Sequence, residues 1–453
     1  MEIQIISKEI IKPSAPTPHH LRTYKLSAVD QLAAFAADIP IILFYSPTEE
    51  ISSKNSDHLK KSMAKTLTLF YPFAGRIKDD SSIDCNDEGA TYIEAHVAGN
   101  MSMILQQPGM DQLEQLQSCK PDENVDEPCG KVMLAAQVNY FDCGGIAISV
   151  RIRHRIGDAS SLAGFVKCWG AISCGIYDNN AGTVVDCSSL FPPQDLSDMS
   201  FLYSLIPRSS CNISTKRFVF EGPKLAALRG KLCSGPYLNR PTRFEAVSAL
   251  IWGVVGEDSE SKKVNRPATI AVDMRKRVDP PLPQHCIGNV VHLAEANWEN
   301  KAVDYNGLAG KIHESISMIN SDYVRQAYAD GTFFSLMRQR MAEMAEDPNS
   351  FRGVIGFSSW CKFRFYEVDF GWGKPIWVGT SLRLAPNWVM LLDTRDGEGM
   401  EVRIALPNEE MVKFEQKSRH LAYVLSLQPY ELLCRVPFFF TLFLMKNLDV
   451  SCV

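Results

Sequence analysis

Along HLKKSMAKTLTLF, the apolar residues Leu59, Met63 and Leu67 recur on one stripe and Tyr71-Pro72 ends it, which predicts an amphipathic helix followed by a turn through PFAGR. SSIDCNDEGATYIEAHV then reads as a hairpin turning at Asn86 to Gly89, and Val132 to Tyr140 as a long strand. After Gly144-Gly145 the pattern alternates. Ile146, Ile148, Val150, Ile152 and His154 lie on one face, with Ala147, Ser149, Arg151 and Arg153 on the other, so the segment is a strand. Past Gly157 the period changes to that of a helix, with Leu162, Phe165, Val166 and Trp169 on its apolar side and Asp158 at its N-cap. His154 and Asp158 are therefore not neighbours on one helix face. The histidine ends a strand above a helix N-terminus, a place from which it can project into a cleft.

Further on, Cys174 to Ser200 is polar and turn-rich, with Pro192-Pro193, and reads as a linker. KRFVFEGPKLAALRGKL is a strand followed by a helix beginning near Gly222-Pro223, and Thr242 with Glu245 forms a capping box opening the helix through VSALIWG. DGTFFSLMRQRMAEMAED suggests another helix, SSWCKFRFYEVDFGWGKP a strand broken at Gly371 and Gly373, and MLLDTRDGEGMEVRIAL a hairpin turning at Asp396 to Gly399. Both halves mix helix and strand without an internal repeat. A chain of 453 residues is too long for one ordinary core, and two domains are expected.

Composition narrows the class. Apolar residues are 45% and charged residues 22%, as in a globular protein, and a net charge of −5 lacks the positive field that nucleic acid or an anionic membrane requires. The N-terminal segment has no leader pattern, so the expected compartment is the cytoplasm. The 13 cysteines contain no CxxC pair, which argues against a zinc site or a disulfide framework. VPFFFTLFLM, Val436 to Met445, is far shorter than the roughly 20 residues that span a bilayer.

The usual catalytic constellations are missing. There is no GxSxG elbow to make a nucleophile of a serine, and neither Ser160 nor Cys143 has a supporting pattern near His154. The remaining histidines form no HxH or HExxH set, so no metal is expected. Neither GxxxxGK[ST] nor GxGxxG follows a strand, so a nucleotide-like cofactor would have to lie in a cleft rather than on a glycine-rich loop. Taken alone, His154 and Asp158 could be no more than a strand ending and a helix cap.

The two short motifs gain meaning together. His154-Arg-Ile-Gly-Asp158 and Asp369-Phe-Gly-Trp-Gly373 stand in the order and approximate spacing of the HxxxD and DFGWG signatures of the plant BAHD acyltransferases, and the sequence resembles that family. The likeness extends over PSAPTP, LTLFYPFAGR, SIDCNDEG, VDMRKRVDPPLP and IGNVV, and reaches to about Leu427. SIDCNDEGATYIEA and DPPLP are most similar to the branch of alkaloid acetyltransferases, with terpenoid alcohol acetyltransferases close by.

The resemblance implies an α/β fold of two chloramphenicol-acetyltransferase-like domains, each with a mixed sheet flanked by helices, and a solvent channel between them. The expected division is 1–173 carrying HxxxD, a crossover linker over 174–215, and 216–453 carrying DFGWG, with a tail from about 430 that the family lacks. It implies transfer of an acyl group, acetyl first, from acyl-CoA to a hydroxyl of an alkaloid or terpenoid alcohol in a ternary complex. On this reading the acyl-CoA is a co-substrate, there is no permanently bound cofactor and no metal, and the enzyme is a monomer. His154 would be the general base and Asp158 would orient the turn, paired with Arg275 of VDMRKR. Asp369, Gly371, Trp372 and Gly373 would be structural, near the CoA side, and Ser248 and Ala249 would contact CoA. The competing expectations are a non-catalytic CoA-ester-binding or scaffolding relative, a different acyl donor, or an amine acceptor. His285-Cys-Ile-Gly-Asn289, standing where relatives with other donors carry YFGN, favours a small neutral acyl group. The cluster Arg151, Arg153 and Arg155 departs from the family, and if Arg153 or Arg155 approached the imidazole it would favour the neutral base.

Overall fold

The computed structural model describes residues 1–33, 37–47, 54–117, 132–177, 186–195, 213–257, 264, 266–283, 286–298, 302–329, 331–335, 338–339, 353–419 and 425–431. They form two compact units, and these are not contiguous in sequence. Unit 1 is Met1–Leu196 with Pro283–Val290 and Phe363–Leu382, and unit 2 is Ser197–Leu282, Val291–Lys362 and Arg383–Val453. The expected division into successive segments thus differs from the packing at two places, and both places carry candidate site residues. The DFGWG segment packs with the N-terminal unit, not with the C-terminal half of the chain.

Unit 1 is built on strands β1 (Ile3–Ile11), β2 (Thr23–Lys25), β3 (Ile39–Tyr45), β4 (Arg76–Asp79), β5 (Ser82–Asp84), β6 (Ala90–Val97), β7 (Leu134–Phe141) and β8 (Ile146–Ile152). Its main sheet has the order β1-β6-β7-β8-β3, extended by the edge strand Trp377–Gly379, and all pairs are antiparallel except β6 with β7. β8 lies inside the sheet with both faces covered, and all seven of its residues are buried. The expected hairpin over Ser81 to Val97 does not form. β5 pairs with β2 and β4 in a separate small sheet, whereas β6 pairs with β1 and β7. The turn at Asn86 to Gly89 switches the chain between sheets, with Asp87 and Gly89 both at positive φ.

The helices of unit 1 are α1 (Ala28–Ala33), α2 (Lys54–Leu69), α3 (Ser102–Gln106), α4 (Met110–Gln115) and α5 (Ala159–Ser173). α2 buries Leu59, Met63 and Leu67 as its stripe requires. α5 packs on it. Phe165 meets Phe70 and Phe73 edge-on at 5.6 Å from each, and the Trp169 indole donates to the Leu59 carbonyl at 3.2 Å and to the Ser62 hydroxyl at 3.1 Å. Fully burying aromatic side chains of this size stabilises by about 2–3 kcal/mol each, which fixes α5 against the unit.

Unit 2 holds a seven-stranded mixed sheet. In chain order its strands are β9 (Ile213–Phe220), β10 (Ala268–Asp273), β11 (Val291–Ala296), β12 (Ile355–Ser359), β14 (Trp388–Asp393), β15 (Met400–Pro407) and β16 (Leu425–Glu431), with Trp377–Gly379 counted as β13. The order is β11-β10-β12-β14-β15-β9-β16. The hairpin of β14 and β15 and the strand-to-helix step from β9 into α6 (Gly222–Leu232) are as expected. So is the capping box that opens α7 (Arg243–Gly256), where Thr242 and Glu245 satisfy each other's backbone N–H groups. α8 (Tyr305–Met318), α9 (Ser321–Ala329) and α10 (Asn408–Arg419) complete the unit. The helix expected over Asp330 to Asp347 is helical at 332–335 and 338–339, and the rest of it, like the segment Val436 to Met445, lies outside the described residues.

Candidate active site

His154 does not sit on β8 but just past it, in a single 3₁₀ turn, His154–Ile156, between the strand and α5. Asp158 is the N-cap of α5, as its position predicts: its Oδ1 accepts from the Ser161 backbone N–H at 3.0 Å and from the Ser161 hydroxyl at 3.1 Å. The other oxygen, Oδ2, accepts from the Val290 N–H at 3.1 Å. Ser161 and the Asp158 backbone N–H both donate to the Gly288 carbonyl, at 3.0 and 3.3 Å. Asp158 thus joins the start of α5 to the segment Gly288–Val290. Gly288 itself needs its left-handed φ of +116°.

The residue between those two anchors completes the site. Asn289 is fully buried, and its Oδ1 lies 2.9 Å from His154 Nδ1. Its Nδ2 donates to the His154 carbonyl at 2.6 Å and to Asp30 Oδ1 at 2.8 Å, and its backbone N–H donates to the same Asp30 oxygen at 2.6 Å. The amide orientation follows from the chemistry of its partners: a carbonyl and a carboxylate take a donor, so the NH₂ faces them and Oδ1 faces the ring. An acceptor at Nδ1 demands Nδ1–H, and the imidazole lone pair is then on Nε2. Burial disfavours the imidazolium and lowers the His154 pKa from the ordinary 6.5, against smaller opposing contributions from its own carbonyl, the Asp158 charge and Asn289. A half-buried, neutral imidazole with a fixed Nε2 lone pair is what a general base near neutrality requires.

Asn289 and Asp30 were missed in the sequence as members of this site. Asn289 stood out only as the end of a stretch associated with donor choice, and Ser27 to Asp30 matches a capping box, S-x-x-D, before an apolar run. The box does form. Asp30 Oδ2 accepts from the Ser27 N–H at 2.8 Å while the Ser27 hydroxyl caps the Asp30 N–H at 3.1 Å. Its second carboxylate oxygen, spare in an ordinary cap, is the one that holds Asn289.

The arginines turn elsewhere. Arg151 pairs with Asp38, Arg153 Nε donates to the Val132 carbonyl at 3.2 Å, and Arg155 bonds the Asp79 carbonyl at 3.2 Å and Asp80 at 3.0 Å.

The second motif braces the other end of the same helix. Asp369 Oδ1 accepts from the Gly371 and Gly373 N–H groups at 2.7 and 2.9 Å, closing a loop in which both glycines take positive φ, so the segment is a loop and not the expected broken strand. Phe370 packs edge-on to Trp169 at 4.9 Å, and Trp372 lies against Tyr45 at 6.0 Å. Ser173 donates to the Phe370 carbonyl at 2.9 Å, and at Gly170 an added Cβ would stand 2.7 Å from the Asp369 carbonyl oxygen. HxxxD begins α5 and DFGWG packs against its other end.

Three expected site residues lie in unit 2. Arg275, buried just beyond β10, takes the Asp273 carboxylate on both its backbone N–H at 2.9 Å and its guanidinium at 3.3 Å. Ser248 and Ala249 are fully buried within α7. The Ser248 hydroxyl has no hydrogen-bond partner among the described residues. No group of histidine, cysteine and carboxylate side chains suited to a metal occurs among the described residues.

The Transferase family model matches residues 1–421. The chain belongs to that family, the BAHD acyltransferases. Among curated relatives it is 45% identical to epi-neemfruitin B synthase of Melia azedarach and 44% identical to a limonoid 21-O-acetyltransferase of Citrus sinensis, each over 93% of this chain and 98% of the relative. The BAHD relative vinorine synthase of Rauvolfia serpentina is 34% identical over 90% of this chain and 95% of its own. The crystal structure of vinorine synthase superposes with a TM-score of 0.76 at 32% identity, covering 93% of this chain and 98% of that one. The expected fold, two sheet-containing domains of the chloramphenicol-acetyltransferase type, and the expected class, an acyltransferase enzyme, are both borne out. No helix among the described residues is long and apolar enough to cross a membrane.

Proposed function

We propose that this BAHD enzyme transfers an acetyl group from acetyl-CoA to a hydroxyl of a polycyclic terpenoid of the limonoid type, as a cytoplasmic monomer, with His154 as general base. The observation that carries the mechanism is the Asn289 clamp on His154 Nδ1, because it leaves the basic lone pair on Nε2. From there Nε2 takes the acceptor's hydroxyl proton as the oxygen attacks the thioester carbonyl, and returns it to the CoA sulfur as the thiolate leaves. General-base catalysis of this kind is worth about 10²- to 10⁴-fold. No nucleophilic side chain is required, in keeping with the missing elbow motif. The acceptor class is supported by the identity of 41–45% to limonoid 1-O- and 21-O-acetyltransferases, against 34% to vinorine synthase and to a limonoid 7-O-acetyltransferase.

Asp158 serves the base from behind, by fixing the backbone that carries Asn289, and its pairing with Arg275 belongs to the same reading. A double-mutant cycle of Asp158→Asn and Arg275→Gln tests that pairing: coupled residues give less than additive losses in stability. The function is tested by supplying the purified enzyme with acetyl-CoA and a panel of limonoid, other terpenoid and alkaloid alcohols, following CoA release and product mass. Acetylated limonoid formed with the highest kcat/KM supports the reading. Turnover confined to alkaloids or to another acyl-CoA contradicts it.

A further inference from the structure

Behind the base lies a carboxylate that no motif assigns. We infer that Asp30 is a positioning residue for catalysis, which sets the tautomer of His154 by holding the Asn289 amide in one orientation. The inference rests on His154 being the base. Asp30 is fully buried and sits in the first turn of α1, and one of its carboxylate oxygens receives two hydrogen bonds from Asn289, backbone at 2.6 Å and side chain at 2.8 Å. The other oxygen is held by the Ser27 backbone and hydroxyl at 2.8 and 2.7 Å, so the carboxylate cannot rotate away without losing its cap.

The consequence is directional. An inverted Asn289 amide would set its oxygen against Asp30 Oδ1 and the His154 carbonyl, acceptor against acceptor at 2.8 and 2.6 Å, and would offer Nδ1 a donor. Nδ1 would then have to carry the lone pair and Nε2 the proton, leaving no base toward a substrate. Of the two groups that forbid the inversion, only Asp30 carries charge, and charge-assisted hydrogen bonds are about twice as strong as neutral ones. Burial raises the Asp30 pKa to about 6, against the four hydrogen bonds it accepts, so the group is ionised at pH 7.5. A helix cap needs no such arrangement, since an exposed aspartate caps equally well. An ionised carboxylate held fully buried points to a task beyond capping.

The experiment has two parts. First, ¹⁵N spectra of histidine-labelled wild-type enzyme at pH 7.5, with the His154 signals assigned by difference from His154→Gln, report its tautomer directly. The expected result is Nδ1–H with an unprotonated Nε2, and a predominant Nε2–H form overturns the inference without any variant having to fold. Second, kcat and KM are compared for Asp30→Asn and wild type. The expected outcome is a fall in kcat of about 10- to 100-fold, the range for loss of a group that orients a catalytic or metal-bound histidine, with KM for acetyl-CoA within about twofold and the Nε2–H tautomer newly populated. Unchanged kcat and an unchanged tautomer in a folded Asp30→Asn enzyme overturn the inference. Retention of the wild-type rate by His154→Gln overturns instead the base assignment on which it rests.

Discussion

Two histidines, one in each unit, the first half-buried and the second buried, show what separates a base from a structural side chain. Both are desolvated and both are held neutral: the His154 pKa is lowered, and that of His292 is pushed down to about 3, in each case chiefly by burial. Desolvation therefore does not distinguish them. The partners do. His292 on β11 has a tyrosine hydroxyl on each ring nitrogen, Tyr328 on Nδ1 at 2.8 Å and Tyr323 on Nε2 at 3.0 Å, inside an aromatic cluster with Phe333. One tyrosine must donate and the other accept, so its lone pair is spent within the protein. His154 instead gives its N–H to an amide whose orientation is locked, which commits the lone pair to the other nitrogen.

The comparison breaks most severely at His154. His154→Ala is expected to lower kcat by 10² to 10⁴, in a CoA-release assay paired with calorimetry, while the Tm falls only by the few degrees that the lost partner of the buried Asn289 Oδ1 accounts for. Asp158→Asn should cost both properties, because an amide keeps the Ser161 cap but turns an NH₂ toward the Val290 N–H. About 1–3 kcal/mol of stability, read as a Tm lower by several degrees, and a 10- to 100-fold fall in kcat are expected, and rate loss with an unchanged Tm would refute the structural role.

His292→Phe should show the reverse division: about 1–3 kcal/mol lost with the hydrogen bonds that His292 makes to Tyr328 and Tyr323, and the activity per folded molecule retained. Its pH signature is also distinct. The folded-state pKa lies below the unfolded value of 6.5, so the unfolded chain binds the extra proton and the wild-type protein loses stability as pH falls below 6.5, by about 1 kcal/mol at pH 5.5. The His292→Phe enzyme should lack that part of the acid dependence in denaturant titrations at pH 7.5 and 5.5. Smallest is Gly170→Ala at the far end of α5, where the new Cβ meets the Asp369 carbonyl; a loss of about 1–2 kcal/mol is expected from chemical denaturation, with kcat changed less than in Asp158→Asn.

How much of this was legible in the chain depended on how local the cause was. The alternation through Ile152, the change of period after Gly157 and the cap at Asp158 are all short-range, and the helix stands where the pattern puts it, while the strand stops at Ile152 and leaves His154 in the turn. The failures were non-local. Ser82–Asp84 and Ala90–Val97 look like a hairpin, but Ser82–Asp84 instead turns back on β4 just before it and pairs with the distant β2, while Ala90–Val97 pairs with the distant β1 and β7. DFGWG lies in the second half of the sequence yet packs on α5 of unit 1. Asn289 is 135 residues from His154 and 259 from Asp30, and no periodicity connects them. Asp30 was further hidden because its capping role is genuine and accounts for only half of its carboxylate.

The most direct test of the central claim is the pH dependence of kcat/KM for the wild-type, His154→Ala and His292→Phe enzymes with acetyl-CoA and one terpenoid alcohol. A base must be unprotonated, so the wild-type rate should hold through neutrality and fall on the acid side with a midpoint below 6.5, unchanged in His292→Phe and absent from the residual activity of His154→Ala. The same acid limb persisting in His154→Ala, or moving with His292, would contradict the assignment of the base.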